Sequence, residues 1–354
     1  MTAEQTITIN GENWGTARLK QKFSGKPLPE WESKIYRFIL NWFDNSGYIL
    51  QKTSGSTGEP KEIKLKKSAM TRSAKATLGF FHLQPGNTAW LCLPVDYIAG
   101  KMMVVRAIEG KLNLIITEPE GTPIIPVQPI DFTAMVPLQL KKLIREKADF
   151  FNIRKLIVGG APVDFLSQKA LQTIPSEVFA TYGMTETCSH IALQRLNGTN
   201  PDWHFHLLEG ITVSTNAENC LVINAPGITD QTLETTDIAE IISPTEFRIL
   251  GRTDNVINSG GIKISPENLE KKITQLIDCD CIVTFKTDSL LGQKLVLVIE
   301  KVSTKCTEQQ ILDQLKPALP KYEIPKEVIF IDQFPRNQSL KIDRKKINDQ
   351  IGND

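Results

Sequence analysis

Apolar residues recur every three or four positions at Trp31, Ile35, Phe38, Ile39 and Trp42, which draws one stripe along a helix. Pro29 suits its entry, and Asn45-Ser46-Gly47 ends it. The pattern then alternates. Tyr48 to Lys52 reads as a strand, Ser68 to Phe81 as a helix, Trp90 to Val95 as a strand, Met102 to Glu109 as a helix and Leu112 to Thr117 as a strand. A helix from Pro137 to Lys147, a strand from Lys155 to Val158, a helix from Pro162 to Thr173 and a short strand from Val178 to Thr181 follow. The Pro-rich stretch Pro119 to Pro129 reads as one extended connection. Strands alternating with helices of about 10 to 15 residues predict an α/β body built on a parallel or mostly parallel sheet.

Past Asn200 the texture changes to short β-like runs, Cys220 to Asn224, Ile238 to Ile242 and Phe247 to Leu250, a smaller β unit that closes the body. From Gly251 a compact set follows: a Gly-rich turn, a helix Asn268 to Ile277, strands Ile282 to Lys286 and Leu295 to Glu300, a helix Glu308 to Leu319 and a strand Val328 to Asp332. The expected organisation is a large layered α/β domain over 1–250 and a small α+β domain over 251–354, with the boundary at Leu250 to Asn255.

Composition narrows the class. The 354 residues are 41% hydrophobic and 23% charged, enough apolar material for one large core or two unequal ones. Lys and Arg number 41 against 40 Asp and Glu, so no whole-chain field exists to hold a nucleic acid or an anionic membrane, and the expected partner is a small molecule. Cys92, Cys188, Cys220, Cys279, Cys281 and Cys306 form no CxxC, which points to reduced thiols rather than a disulfide framework or zinc site. The start, Met1 to Trp14, is polar and acidic, unlike a signal peptide, and no stretch approaches the ~20 apolar residues of a membrane span. The expectation is a cytoplasmic protein.

Four segments carry candidate chemistry. In Thr53-Ser54-Gly55-Ser56-Thr57-Gly58-Glu59-Pro60-Lys61, glycines admit backbone amides to an anion, hydroxyls add donors and Lys61 adds charge, as a phosphate-wrapping loop requires. Gly58 is followed by Glu-Pro-Lys, so the loop is not a Walker motif. Tyr182-Gly183-Met184-Thr185-Glu186-Thr187 follows a strand, where side chains face a ligand crevice. Tyr182 can stack on a base, Thr185 bond a phosphate and Glu186 hold Mg²⁺; read alone, the stretch fits a structural β-turn as well. Gly251-Arg252-Thr253-Asp254, followed by Asn258-Ser259-Gly260-Gly261-Ile262-Lys263-Ile264, suits either a hinge or an inert linker with a β-hairpin. Pro335 to Arg344 holds Lys341, which by itself reads as a solvated charge.

Together and in this order, these segments resemble the adenylate-forming superfamily of acyl-CoA synthetases, peptide-synthetase adenylation domains and luciferases, from about residue 50 to the end. The phosphate-loop signature matches Ser54 to Lys61, the Tyr-Gly-x-Thr-Glu signature Tyr182 to Glu186, and the Gly-Arg-x-Asp hinge Gly251 to Asp254. The Gly-Gly-Ala-Pro adenine segment matches Gly159-Gly160-Ala161-Pro162. The Thr-Gly-Asp ribose signature becomes Thr235-Thr236-Asp237, and the terminal Gly-Lys becomes Leu340-Lys341. The resemblance implies ATP and Mg²⁺, the metal held by Glu186, and CoA as acceptor. It implies nucleotide contacts from Thr53 to Gly58, Lys61, Gly159 to Ala161, Tyr182, Gly183, Asp237 and Arg252, with Thr185, Glu186 and Lys341 catalytic. It also implies a mobile small domain turning on Asp254 and bringing Gly260, Gly261 and Lys263 to the CoA side.

Tyr182 to Ile191 is similar to the o-succinylbenzoate-CoA ligases of menaquinone synthesis, and Leu93 to Lys101 occupies the acyl-site position, with Tyr97 where His is more usual. Candidate acid-binding residues are Tyr97, Gly100, Lys101, Ser189 and His190. A second carboxylate on the acid needs a cation or donor, and Lys101, Arg106 or His190 could supply it; a solvated helix face and a packed imidazole are the alternatives. The resemblance also implies a shortened N-terminal subdomain, for which a homodimer could compensate. Three other classes stand beside this reading. Another aryl- or acyl-CoA ligase would keep every motif. A carrier-loading adenylation enzyme would need a docking face. A non-catalytic nucleotide binder would be expected to lose Lys341 or Glu186, and both are present. His204-Phe205-His206 reads as same-face imidazoles on a strand rather than a metal pair.

Overall fold

A computed structural model of the chain describes residues 5–23, 27–52, 62–199, 201–277, 279–301, 306–337 and 341–352. The chain divides into two compact units, one formed by 1–163, 170–212 and 224–233, the other by 164–169, 213–223 and 234–354.

In chain order the first part runs β1 (Thr6–Ile9), β2 (Glu12–Gly15), α1 (Thr16–Phe23), α2 (Glu30–Phe43), β3 (Tyr48–Lys52), β4 (Glu62–Lys66), α3 (Lys67–Phe80), β5 (Thr88–Leu91), α4 (Ile98–Gly110) and β6 (Asn113–Ile116). It continues with β7 (Ile130–Met135), α5 (Pro137–Arg145), β8 (Ile153–Val158), α6 (Phe165–Leu171), β9 (Glu177–Gly183), β10 (His190–Arg195) and β11 (Phe205–Leu207). The strands lie in the order β11-β10-β9-β8-β7-β5-β6-β1-β2. From β9 through β8, β7, β5 and β6 to β1 every neighbouring pair is parallel, as the alternating pattern predicts.

One row crosses β6, β5, β7, β8 and β9 through Ile115, Trp90, Thr133, Leu156 and Val178, all buried. A parallel sheet covered on both faces needs such continuous apolar rows. Thr133 is tolerated there because its hydroxyl donates to Trp90 O at 2.9 Å. β6 and β7 lie on opposite sides of β5, so strand order reverses there, and a ligand crevice is expected at the carboxyl ends beside such a reversal. The ribbon β3–β4 pairs antiparallel, with Lys52 opposite Glu62 at the end from which residues 53–61 depart.

Several elements differ from the sequence reading. The polar start forms β1, β2 and α1, with Ile7 and Ile9 buried on alternate positions of β1. β7 and β10 are further strands. The expected strand Trp90–Val95 ends at Leu91, before Pro94, whose carbonyl packs against α4 at Gly100. The helix expected to reach Leu319 ends at Leu315, because Pro317 offers no N–H to continue it.

The second part runs β12 (Thr212–Thr215), β13 (Cys220–Asn224), β14 (Leu233–Ser243), β15 (Glu246–Arg252), a 3₁₀ turn at Thr253–Asn255, β16 (Ile257–Ser259), β17 (Ile262–Ile264) and α7 (Pro266–Leu276). β18 (Cys281–Asp288), β19 (Gly292–Glu300), α8 (Glu308–Leu315), β20 (Glu327–Ile331) and α9 (Arg344–Gln350) complete it. Strands pair in the order β17-β16-β19-β18, with β20 parallel to β19. β19 is buried on both faces: Leu295, Leu297 and Ile299 meet Leu269 and Ile273 of α7 and Ile311 and Leu315 of α8 in one cluster, and Val296 and Val298 meet Ile347 of α9 in another. Ser265 caps α7 by accepting from Asn268 N, and Pro266 takes its first position. No helix among the described residues is long and apolar enough to cross a membrane.

Candidate active site

The carboxyl ends of parallel strands in one sheet carry the expected segments of the first unit. β5 runs on to Tyr97 and Gly100, β8 to Gly159, Gly160 and Ala161, and β9 ends in Tyr182 and Gly183, followed by Thr185 and Glu186. The sheet thus gathers at one edge residues that lie far apart in sequence.

Gly159 N donates to Met135 O at 3.1 Å, continuing the parallel ladder past the end of β8. The Tyr182 ring stands 5.8 Å from Phe205. The turn after β9 is tied by Thr187, whose buried Oγ1 accepts from Met184 N at 3.0 Å and lies 2.7 Å from Ser189 O, while Cys188 N donates to Thr185 O at 2.9 Å. The loop therefore presents Thr185 half-buried and Glu186 exposed. No cluster of three or more His, Cys, Asp or Glu capable of caging a metal occurs among the described residues. A single exposed carboxylate fits Mg²⁺, which is bound through one or two carboxylates with substrate phosphates completing its shell.

At the acyl end, Gly100 permits α4 to touch the preceding loop, since a Cβ there would stand 2.3 Å from Pro94 O. Tyr97 precedes α4 and is half-buried, which raises the pKa of its phenol. Lys101 does not project into solvent: its ammonium donates to Gln51 Oε1 at 2.6 Å and Leu50 O at 3.3 Å, 5.9 Å from the Phe38 ring centre, and burial lowers its pKa.

Arg106 is the unusual group. It is 1% exposed, donates from Nη2 to Ser189 Oγ at 2.7 Å, has no ion-pair partner among the described residues, and leaves its buried Nε without a hydrogen-bond partner. Burial pushes its pKa down to about 9. A guanidinium still holds its proton at neutral pH under that shift, so the core contains a cation that no described carboxylate neutralises, with an open donor. His190 is buried beside it, with Nδ1 3.3 Å from Ser189 Oγ and Nε2 3.2 Å from Thr77 Oγ1. Burial, reinforced by the Arg106 charge, holds the imidazole well below its ordinary pKa and therefore neutral.

In the second unit Asp237 on β14 lies opposite Arg252 on β15. Arg252 Nη1 donates to Asp237 Oδ1 at 3.0 Å, and Nη2 donates to Thr236 Oγ1 at 2.6 Å and Asp254 Oδ2 at 2.9 Å. Thr236 Oγ1 in turn donates to Asp254 Oδ2 at 2.9 Å. Burial works to raise the Asp254 pKa, but the bonds from Arg252 and Thr236 outweigh it and hold the carboxyl below the usual range. Lys341 is half-buried, and burial followed by the nearby Arg252 charge lowers its pKa. Its backbone is fixed by pairing with Asn337, N to Oδ1 at 3.1 Å and O to Asn337 N at 2.9 Å. Arg344, three residues on, grips both carboxylate oxygens of Glu270 at 2.7 and 2.8 Å. Gly260 and Gly261, both at positive φ, make the two-residue turn between β16 and β17, and Lys263 follows, exposed, on β17.

Thr53, Ser54, Gly55, Ser56, Thr57, Gly58 and Lys61 lie outside the described residues, as does Leu340. His206 finds an acidic partner that the sequence reading did not identify: Asp202, four residues back, 3.4 Å away. Arg106 stands in the sequence as one possible partner for a second carboxylate, apart from the acid-binding residues named above. Its signal was a charge inside the otherwise apolar helical run Met102-Met103-Val104-Val105-Arg106-Ala107.

A model of the AMP-binding enzyme family matches residues 40–224, over half of the chain, and the protein belongs to that family, in its adenylate-forming acyl-CoA synthetase branch. Among solved structures, an AMP-forming acyl-CoA synthetase/AMP-acid ligase II-like protein from Dyadobacter fermentans DSM 18053 is 33% identical, with TM-score 0.63, covering 96% of this chain and 99% of that one. The 2-succinylbenzoate–CoA ligase of a Bacillus cereus strain is 25% identical over 335 residues, 84% of this chain and 69% of that protein. The Lactococcus lactis subsp. lactis enzyme of the same name is 25% identical over 84% of this chain and 70% of its own. The o-succinylbenzoate coenzyme A synthetase from Bacillus subtilis, solved with ATP and magnesium ion, shares the fold at 19% identity and TM-score 0.71, over 84% of this chain and 69% of that one.

Proposed function

We propose that the protein is an ATP-dependent, AMP-forming acid–CoA ligase whose acid is o-succinylbenzoate. A carboxylate does not react with a thiol until one of its oxygens becomes part of a good leaving group. The acid's carboxylate attacks the α-phosphorus of ATP, expelling pyrophosphate and forming an acyl-adenylate; the CoA thiol then attacks the acyl carbon and AMP leaves.

Lys341 stabilises charge growing on the phosphate oxygens, with the Thr185 hydroxyl donating to a phosphate oxygen and Tyr182 against the base. Asp237 and Arg252 hold the ribose, Gly159 to Ala161 and Gly183 line the adenine, and Thr53 to Gly58 with Lys61 take the departing pyrophosphate. Mg²⁺ held by Glu186 supplies neutralisation of phosphate charge. Between the half-reactions, 251–354 turns on Asp254 relative to 1–250, withdrawing Lys341 and bringing Gly260, Gly261 and Lys263 to the CoA side. Tyr97 and Gly100 border the acid.

The observation that carries the substrate reading is Arg106, a buried guanidinium with an open donor bonded to Ser189 beside the strand-end loop. A buried unpaired cation is costly, and an acid bearing a second carboxylate offers it a charge-assisted partner. The curated relatives named as 2-succinylbenzoate–CoA ligases support the same acid.

The test is acid-dependent exchange of labelled pyrophosphate into ATP with o-succinylbenzoate beside benzoate, a fatty acid and several amino acids, repeated with CoA to detect thioester. Exchange and thioester with o-succinylbenzoate alone are expected. Exchange with another acid keeps the ligase and discards this substrate, and no exchange with any acid favours a nucleotide-binding role.

A further inference from the structure

The hydrogen bonds behind Arg106 fit together in one consistent direction. A guanidinium can only donate, so Ser189 Oγ accepts from Arg106 Nη2 across 2.7 Å. The hydroxyl's single proton is then free for its other neighbour, His190 Nδ1, at 3.3 Å. A neutral imidazole that accepts at Nδ1 carries its proton on Nε2, which donates to Thr77 Oγ1 at 3.2 Å. Thr77 passes its own proton to Ser73 O, at 3.2 Å one helical turn back in α3. Every link lies in the first unit, and Arg106, His190 and Thr77 are buried.

We propose that His190 is a positioning residue: as the neutral Nε2–H tautomer, anchored on Thr77, it turns Ser189 Oγ toward Arg106 and so holds the guanidinium ready for the second carboxylate of the acid. The inference rests on the proposed dicarboxylic substrate and deepens it, because selectivity then comes from α3 as well as from the groups that touch the acid. The alternative states of the ring work against the arrangement. An Nδ1–H imidazole would donate to Ser189 Oγ, so the hydroxyl's own proton would lose His190 as its acceptor and no longer set the orientation of its lone pair toward Arg106. An imidazolium would set a second cation beside a buried first one, which burial and the Arg106 charge oppose.

The test uses the full chain in two measurements. In wild type labelled with ¹⁵N-histidine, the ring signal lost on His190→Asn should show the Nε2–H tautomer without titration between about pH 5 and pH 8. An Nδ1–H or titrating ring overturns the proposal. In kinetics, His190→Phe and Ser189→Ala should each raise KM for o-succinylbenzoate about tenfold with KM for ATP unchanged, and the double variant should be no worse than either alone, since both act through one hydroxyl. His190→Asn, whose side-chain oxygen can replace Nδ1 as acceptor, should stay within about threefold of wild type. Additive losses, or an Asn variant as impaired as the Phe variant, overturn the positioning role. A wild-type enzyme that uses benzoate as readily as o-succinylbenzoate overturns the substrate reading and this inference together. Selectivity that survives His190→Phe overturns the inference alone.

Discussion

Lys341 is half-buried near Arg252, and burial and the Arg252 charge both lower its pKa; the role proposed for it there is to meet an anion that arrives with the substrate. Lys341→Ala is therefore expected to abolish pyrophosphate exchange while sparing thioester formation from a supplied acyl-adenylate; equal loss in both assays would remove the division of roles. His190 yields a stability prediction of definite sign. Its folded pKa lies well below the ordinary 6.5, so below that pH the unfolded chain binds a proton that the folded chain refuses. Stability should then fall with decreasing pH, by up to about 1.4 kcal/mol per pH unit from this group, starting near its unfolded pKa. Denaturant midpoints of wild type and His190→Phe across that window should converge on acidification, and parallel curves would show that the ring is not held neutral. Lys341, Glu186 and Tyr182 stand out in the sequence because each lies in an ordered motif, and the structure puts Tyr182 at the end of β9 and Glu186 in the turn after it. Arg106 could be seen but not placed, since a lone Arg in a helix pattern looks the same whether solvated or enclosed, and only the closing of α4 against the Ser189 loop decides it.

At the scale of elements, the strand-end loops keep their shape through contacts that leave no spare volume. Gly100→Ala would drive a methyl into the Pro94 carbonyl at 2.3 Å, where backbone rather than a flexible side chain must yield. The expected cost is about 1–3 kcal/mol, read as a lowered Tm, together with a raised acid KM as α4 shifts. Unchanged stability would mean that the loop gives way freely. Helices with a clear apolar stripe, such as α2 and α7, were legible almost to their ends. β1 and β7 were not. Thr6–Ile9 shows only two buried apolar positions amid polar neighbours, and it becomes a strand because β6 offers it a parallel edge. Ile130–Met135 follows a Pro-rich connection, and its role as the strand between β5 and β8 is settled by long-range pairing that a local pattern does not contain.

For the whole molecule, the alternating pattern predicted the parallel α/β body correctly, because strands buried on both faces must be apolar and their crossovers helical. Which segments cluster with which is not contained in a local pattern: the hairpin β14–β15, carrying Asp237, Arg252 and the approach to Asp254, gathers with 255–354 in one compact unit, with α7 against β15 and Ser265 Oγ donating to Leu250 O at 3.1 Å. Arg106 bears on the molecule as a whole in another way. An enclosed cation without a counter-charge weakens the fold that contains it, and replacing such a charge with an apolar side chain of similar length commonly gains about 1–4 kcal/mol. Arg106→Met should accordingly melt at a higher temperature than wild type while losing the preference for a dicarboxylic acid proposed above, and a lower melting temperature would show the guanidinium to be fully compensated. On the proposed function, resistance to heat and choice of substrate then pull this one position in opposite directions, so selection for thermal endurance alone would be expected to erode discrimination among acids before it touched Lys341.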